Sequence, residues 1–103
     1  MNKETTHHPD QRVADSILYE AMDNINGPRQ RDYGTAYSNF TSTAELWSIY
    51  LNKHITAENV GMCMILLKTS RLMNKNITTD SLIDIAGYAA LTAEIAHEND
   101  KDD

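Results

Sequence analysis

Residues 29–40 read Arg-Gln-Arg-Asp-Tyr-Gly-Thr-Ala-Tyr-Ser-Asn-Phe, which puts two arginines, an aspartate and two tyrosines into one short connection. Turns are ordinarily built from Gly, Pro, Asn, Asp and Ser. Arginine and tyrosine in a connection suit a planar or anionic ligand, because the guanidinium is a fixed fork of donors and the phenol ring is a stacking face. Further along stand Lys68 and Arg71, three apart, then Asp80 and Asp84, four apart, with Tyr88 one turn later. On helices each of these pairs shares a face. Arg29, Arg31, Tyr33, Lys68, Arg71, Asp84 and Tyr88 are therefore the candidate ligand-binding set. Arginine would hold phosphate in a bidentate grip, lysine would act as a point charge, and Asp84 would orient the cations.

The elements that must position these residues follow from hydrophobic spacing. Val13, Ile17, Leu18, Ala21, Met22 and Ile25 predict a helix over 12–26, stopped by Gly27-Pro28. Tyr37, Phe40, Ala44, Trp47, Tyr50 and Leu51 place an aromatic stripe on a second helix over 36–53, expected to be core or subunit interface. Thr56 is a good N-cap and Glu58 suits the first turn of a third helix over 57–74. Its run from Val60 to Leu67 is apolar nearly all round, so it is expected to be covered by neighbours or by a second chain. Gly61 there forfeits roughly 1 kcal/mol of helix propensity, which close helix approach can offset. Thr79 is expected to cap a fourth helix over 79–98, made thin by Gly87 and its alanines.

Nothing alternates with period two, so no strand is expected. The fold class is all-α: a four-helix bundle-like single domain over 12–99, with a flexible arm over 1–11, an acidic tail over 100–103, and homo-oligomer formation expected. The short turn between the last two helices makes them an antiparallel hairpin, placing Lys68 near Asp84 and Arg71 within reach of Asp80. Asp84 lies between Ile83 and Ile85, and a carboxylate in that setting needs a partner. The same charges also serve a purely structural reading, an interhelix ion pair that fixes register.

Composition narrows the function classes. The chain has 103 residues and a net charge of −6, with a pI near 5.0, which argues against non-specific nucleic-acid binding through a basic surface. Glu98, Asp100, Asp102 and Asp103 read as a solvated end rather than a nucleic-acid mimic. No apolar run approaches the ~20 residues of a membrane span, and the polar start is unlike a signal peptide. The single cysteine, Cys63, excludes an internal disulfide and reads as a small buried hydrophobe, consistent with a reducing cytoplasm. His7 and His8, adjacent near the start and far from His54, are weak metal ligands.

Arg31-Asp32-Tyr33-Gly34, Asn39-Phe40, Leu46-Trp47-Ser48, Lys68-Thr69-Ser70-Arg71, Asp80-Ser81 and Asp84-Ile85-Ala86-Gly87-Tyr88-Ala89 together resemble a family of small phage-encoded helical proteins of uncharacterised function. More distantly, the layout is similar to nucleotide pyrophosphohydrolases of the MazG type, which that resemblance would make oligomeric helical units binding magnesium through clustered acids. The chain departs from that pattern. Glu45 stands alone on the second helix, and the third carries Lys68 and Arg71 where acids are wanted. The resemblance therefore implies binding of a nucleotide or cyclic nucleotide without hydrolysis and without a cofactor. In a host cytoplasm, that would suit sequestration of a defence signal. A divergent enzyme would instead use Mg2+ on Glu45, Asp80 and Asp84, and a third reading is an inhibitor of a host protein.

Overall fold

The computed structural model describes residues 12–27, 35–74 and 76–101, and among them the chain is four α-helices with no strand. They are α1 (Val13–Asn26), α2 (Ala36–Leu51), α3 (Ala57–Ser70) and α4 (Thr79–Lys101). The all-α reading holds, and each helix falls where apolar spacing placed it.

Local chemistry sets the ends. The Thr35 hydroxyl accepts from the Ser38 N–H and starts α2. Asn52 takes the left-handed conformation, φ 53°, and its N–H donates to the Ile49 carbonyl. This closes α2 two residues before the predicted end; a left-handed residue there is a common way to satisfy last-turn carbonyls. The Ser48 hydroxyl donates to the Ala44 carbonyl and accepts from the Ile55 N–H, which ties the following turn down. Thr56 caps α3 as expected, in a reciprocal box with Asn59. At α4 it is Thr78, not Thr79, whose hydroxyl accepts from the Ser81 N–H. The last helix runs on through Asp100 to Lys101, past its predicted end at 98.

One buried cluster at the centre is made by three of the four helices. Phe40 and Ala44 of α2, Ala57 and Val60 of α3, and Ile95 of α4 form its buried centre, with Trp47, Met64, Tyr88 and Leu91 packed around it. The contacts Glu58–Asn99, Gly61–Thr92 and Lys68–Asp84 run in opposite directions along α3 and α4, which makes the expected antiparallel hairpin. The two helices approach closely at Gly61: a Cβ there would overlap the Thr92 hydroxyl. Tyr37 donates to Asn99, and Asn99 donates to Glu58, so one polar chain links α2, α4 and α3. α1 lies almost wholly on α4, with Ile25 seated over Gly87.

Within one chain, neither apolar stripe is wholly covered. The aromatic stripe of α2 splits: Phe40 and Ala44 are buried, whereas Tyr50 is 87% exposed and Tyr37 and Leu51 also face outward. The stripe spans more of the helix circumference than α3 and α4 cover. The α3 run splits likewise, with Val60 and Gly61 inside and Met62, Cys63, Leu66 and Leu67 outside. Cys63 is therefore an exposed thiol in this chain, not a buried one.

Candidate functional site

The last turn of α1, the end of α3 and the middle of α4 border an open cleft of about 350 Å³. α1 contributes Asp23, Asn24 and Ile25, α3 contributes Lys68, and α4 contributes Ile83, Asp84, Gly87, Tyr88 and Leu91. The geometry follows from sequence. Residues 84, 87, 88 and 91 recur at helical spacing on one face of α4. Gly87 has no side chain, so Ile25 comes in close, and a Cβ there would sit 3.3 Å from Ile25 Cγ2.

Lys68 Nζ and Asp84 Oδ2 are 2.9 Å apart across the α3–α4 hairpin, as the register required. The lysine side chain is 16% exposed and the aspartate 38%, so the cation is the more deeply placed partner. Tyr88 borders the cleft and packs on Phe40, with ring centroids 6.2 Å apart at 34°. It connects cleft and core.

Of the sequence-predicted residues, the structure brings together Lys68, Asp84 and Tyr88. Arg71 is the exposed C-cap of α3 and does not line the cleft, and no ion pair joins it to Asp80 among the described residues. Arg71 still winds on from α3 in a right-handed helical conformation, but its side chain is exposed rather than drawn across the hairpin. Arg29, Arg31 and Tyr33 lie outside the described residues. Asp80 is exposed in the first turn of α4. Glu45 borders a different groove, near His54, Glu58 and Asn99. Among the described residues no three of His, Cys, Asp and Glu come together as metal ligands, so Glu45, Asp80 and Asp84 do not share a site. α2 and the start of α4 put them on separate surfaces.

Asp23 and Asn24 were not foreseen as site residues. The available signal was Gly87, a bare position in an apolar helix that marks where another element comes close. Its visitor is the end of α1, which carries these two polar side chains.

Residues 16–96 match the family described as a domain of unknown function, DUF6378. The chain belongs to that family. Two phage proteins are similar to this DUF6378 domain. The Gene 55 protein of Mycobacterium phage L5 is 40% identical over 87 residues, covering 84% of this chain and 56% of the relative. The Gene 55 protein of Mycobacterium phage D29 is 40% identical over 86 residues, covering 84% and 57%. The chain thus spans little more than half the length of these curated relatives. No solved structure matches it. The resemblance to phage-encoded proteins stands on these relatives, whereas the MazG likeness rests on the residue pattern alone. No helix among the described residues is long and apolar enough to cross a membrane.

Proposed function

We propose that this DUF6378 domain binds a nucleotide or cyclic nucleotide, without hydrolysing it, in the cleft where α1, α3 and α4 meet. The supporting observation is that Lys68, Asp84 and Tyr88 border one concavity of about 350 Å³. That volume lies toward the small end of the ~300–1,000 Å³ usual for small-ligand sites. An aromatic ring, aliphatic walls and a few convergent polar groups are the usual furnishing of such a site. Chain connectivity adds to it: Arg29 is two residues beyond Gly27, where the turn that lines the cleft ends. On this reading the phosphate donors and a second ring are those that the sequence offers next, Arg29, Arg31 and Tyr33. Glu45 and Asp84 border different grooves, which favours binding over magnesium-dependent cleavage of the MazG kind. Among phage proteins, binding without turnover suits removal of a host defence signal.

The exposed apolar residues of α2 and α3 favour a second contact. Leu46, Ile49 and Tyr50 share one face of α2, and Met62 and Leu66 share one of α3. We assign this surface to self-association, with a host protein as the rival occupant.

Native mass spectrometry of protein freshly purified from cells tests both points, because it reads subunit number and retained ligand together. An oligomer carrying a nucleotide mass supports the proposal. A ligand-free species that also gives no calorimetric heat across linear and cyclic nucleotides overturns it.

A further inference from the structure

We infer that, within the nucleotide site proposed above and resting on that reading, the cleft takes the base rather than the phosphates, and that the base is one with adjacent N–H donors, of the guanine type. The first ground is charge. Among the described lining residues the charged ones are Asp23, Asp84 and Lys68, and the Lys68 ammonium is already held by Asp84 at 2.9 Å. Arg71 does not line the cleft, so the described lining carries one net negative charge. The second ground is the end of α1. Its last turn borders the cleft and contains no basic residue. A helix C-terminus carries roughly half a negative charge on its free carbonyls. A phosphate placed here would meet two carboxylates and a negative helix end, whereas a ring edge bearing N–H groups would meet acceptors.

The third ground is shape and pairing. Ile25, Leu91 and Tyr88 provide apolar and aromatic walls for a flat heterocycle. Asp23 forms no ion pair with any described residue, so both of its carboxylate oxygens can accept. The ring N–H and exocyclic amine of guanine lie side by side and fit the two oxygens of one carboxylate, as the fork of a guanidinium does. Asp84, occupied by Lys68, is the less available of the two. Phosphates then project outward from the cleft.

Calorimetry with guanosine, inosine, adenosine and inorganic pyrophosphate, beside guanosine nucleotides, tests the inference. Guanosine should bind without any phosphate. Inosine, which lacks only the exocyclic amine, should bind at least roughly ten-fold more weakly, the size expected for one hydrogen bond to a charged acceptor. Pyrophosphate should not compete with guanosine. Asp23→Asn, at an exposed position where folding is not at stake, should weaken guanosine by a similar factor with an unchanged melting curve. Equal binding of guanosine and inosine, displacement of guanosine by pyrophosphate, or binding of nucleotides with no nucleoside binding would each overturn the base assignment while leaving the nucleotide reading intact. If neither nucleosides nor nucleotides bind, the nucleotide reading fails and takes this inference with it.

Discussion

The unequal burial of Lys68 and Asp84 predicts an unequal response to losing either partner. Asp84→Asn keeps the shape and one carbonyl acceptor but removes the counter-charge from an ammonium that is only 16% exposed. Leaving such a group poorly satisfied costs on the order of 1–3 kcal/mol, and the retained carbonyl pulls the value toward about 1–2. Lys68→Met keeps the aliphatic stem and leaves behind a carboxylate that is 38% exposed and can turn to water. Its loss should therefore resemble that of a surface pair, about 0.2–1 kcal/mol. The double variant removes both charges and should be close to Lys68→Met alone, because the penalty in Asp84→Asn belongs to the orphaned lysine. For a domain of this size ~1 kcal/mol moves Tm by about 4–8 °C, so the two single variants separate clearly in a thermal scan. Urea unfolding followed by circular dichroism at 222 nm gives the full cycle. If Lys68→Met proves the worse variant, or if the two losses simply add, then burial does not govern this pair and the reasoning fails.

Three further outcomes follow from packing and exposure. Gly61→Ala would gain about 1 kcal/mol in an open helix, but overpacking costs about 1–3 kcal/mol, so the melting temperature should fall, and Thr92→Ala should recover part of the loss; a raised Tm would show that α3 and α4 can part freely there. Ile49, 78% exposed beside Leu46 and Tyr50, anchors the proposed self-association, so Ile49→Asp should convert an oligomer to a monomer in sedimentation velocity without loss of helicity; a wild-type protein that sediments as a monomer removes the proposal. Cys63, exposed next to Met62 on the α3 face assigned to self-association, should be protected from a maleimide in the oligomer and react at nearly the rate seen in urea once Ile49→Asp has made the protein monomeric; full reactivity in the wild-type protein would show that the α3 face is open in solution.

Helix positions were legible because apolar residues recur every three to four positions and because breakers and caps stand between the runs. Gly27-Pro28 and the Thr56 capping box are local chemistry, readable without a fold. The Lys68–Asp84 pair was legible for a further reason: a short turn fixes the register of a hairpin, so counting outward from it pairs the residues. Arg71 shows where this counting stops, since register gives a residue's height along the hairpin but not whether its side chain turns across it, and Arg71 is exposed. Burial around each helix was not legible. The spacing of Tyr37, Phe40, Trp47 and Tyr50 shows which residues share a face, but not how wide an arc the neighbours cover, and here they cover only Phe40, Ala44 and part of Trp47. The contribution of Asp23 and Asn24 depends on α1 meeting α4 across Gly87, a contact between residues some sixty positions apart that no local pattern encodes.

The placement of α1 divides the stability of the chain. The buried cluster around Phe40 draws on α2, α3 and α4, whereas α1 buries Ser16, Glu20 and Ala21, two of them polar, and rests almost wholly on α4. A helix attached this way can detach while the other three stay packed, so its amides should exchange with solvent through a partial opening well below the global unfolding free energy. The cleft exists only while α1 is docked, because Asp23, Asn24 and Ile25 form one of its sides. Apparent affinity is then reduced by the fraction of molecules in which α1 is away, and any occupant must slow hydrogen exchange along α1 more than along α2. The cleft is in this sense a hinge-controlled population, and an occupant would act as the fastener that joins the fourth helix to the other three.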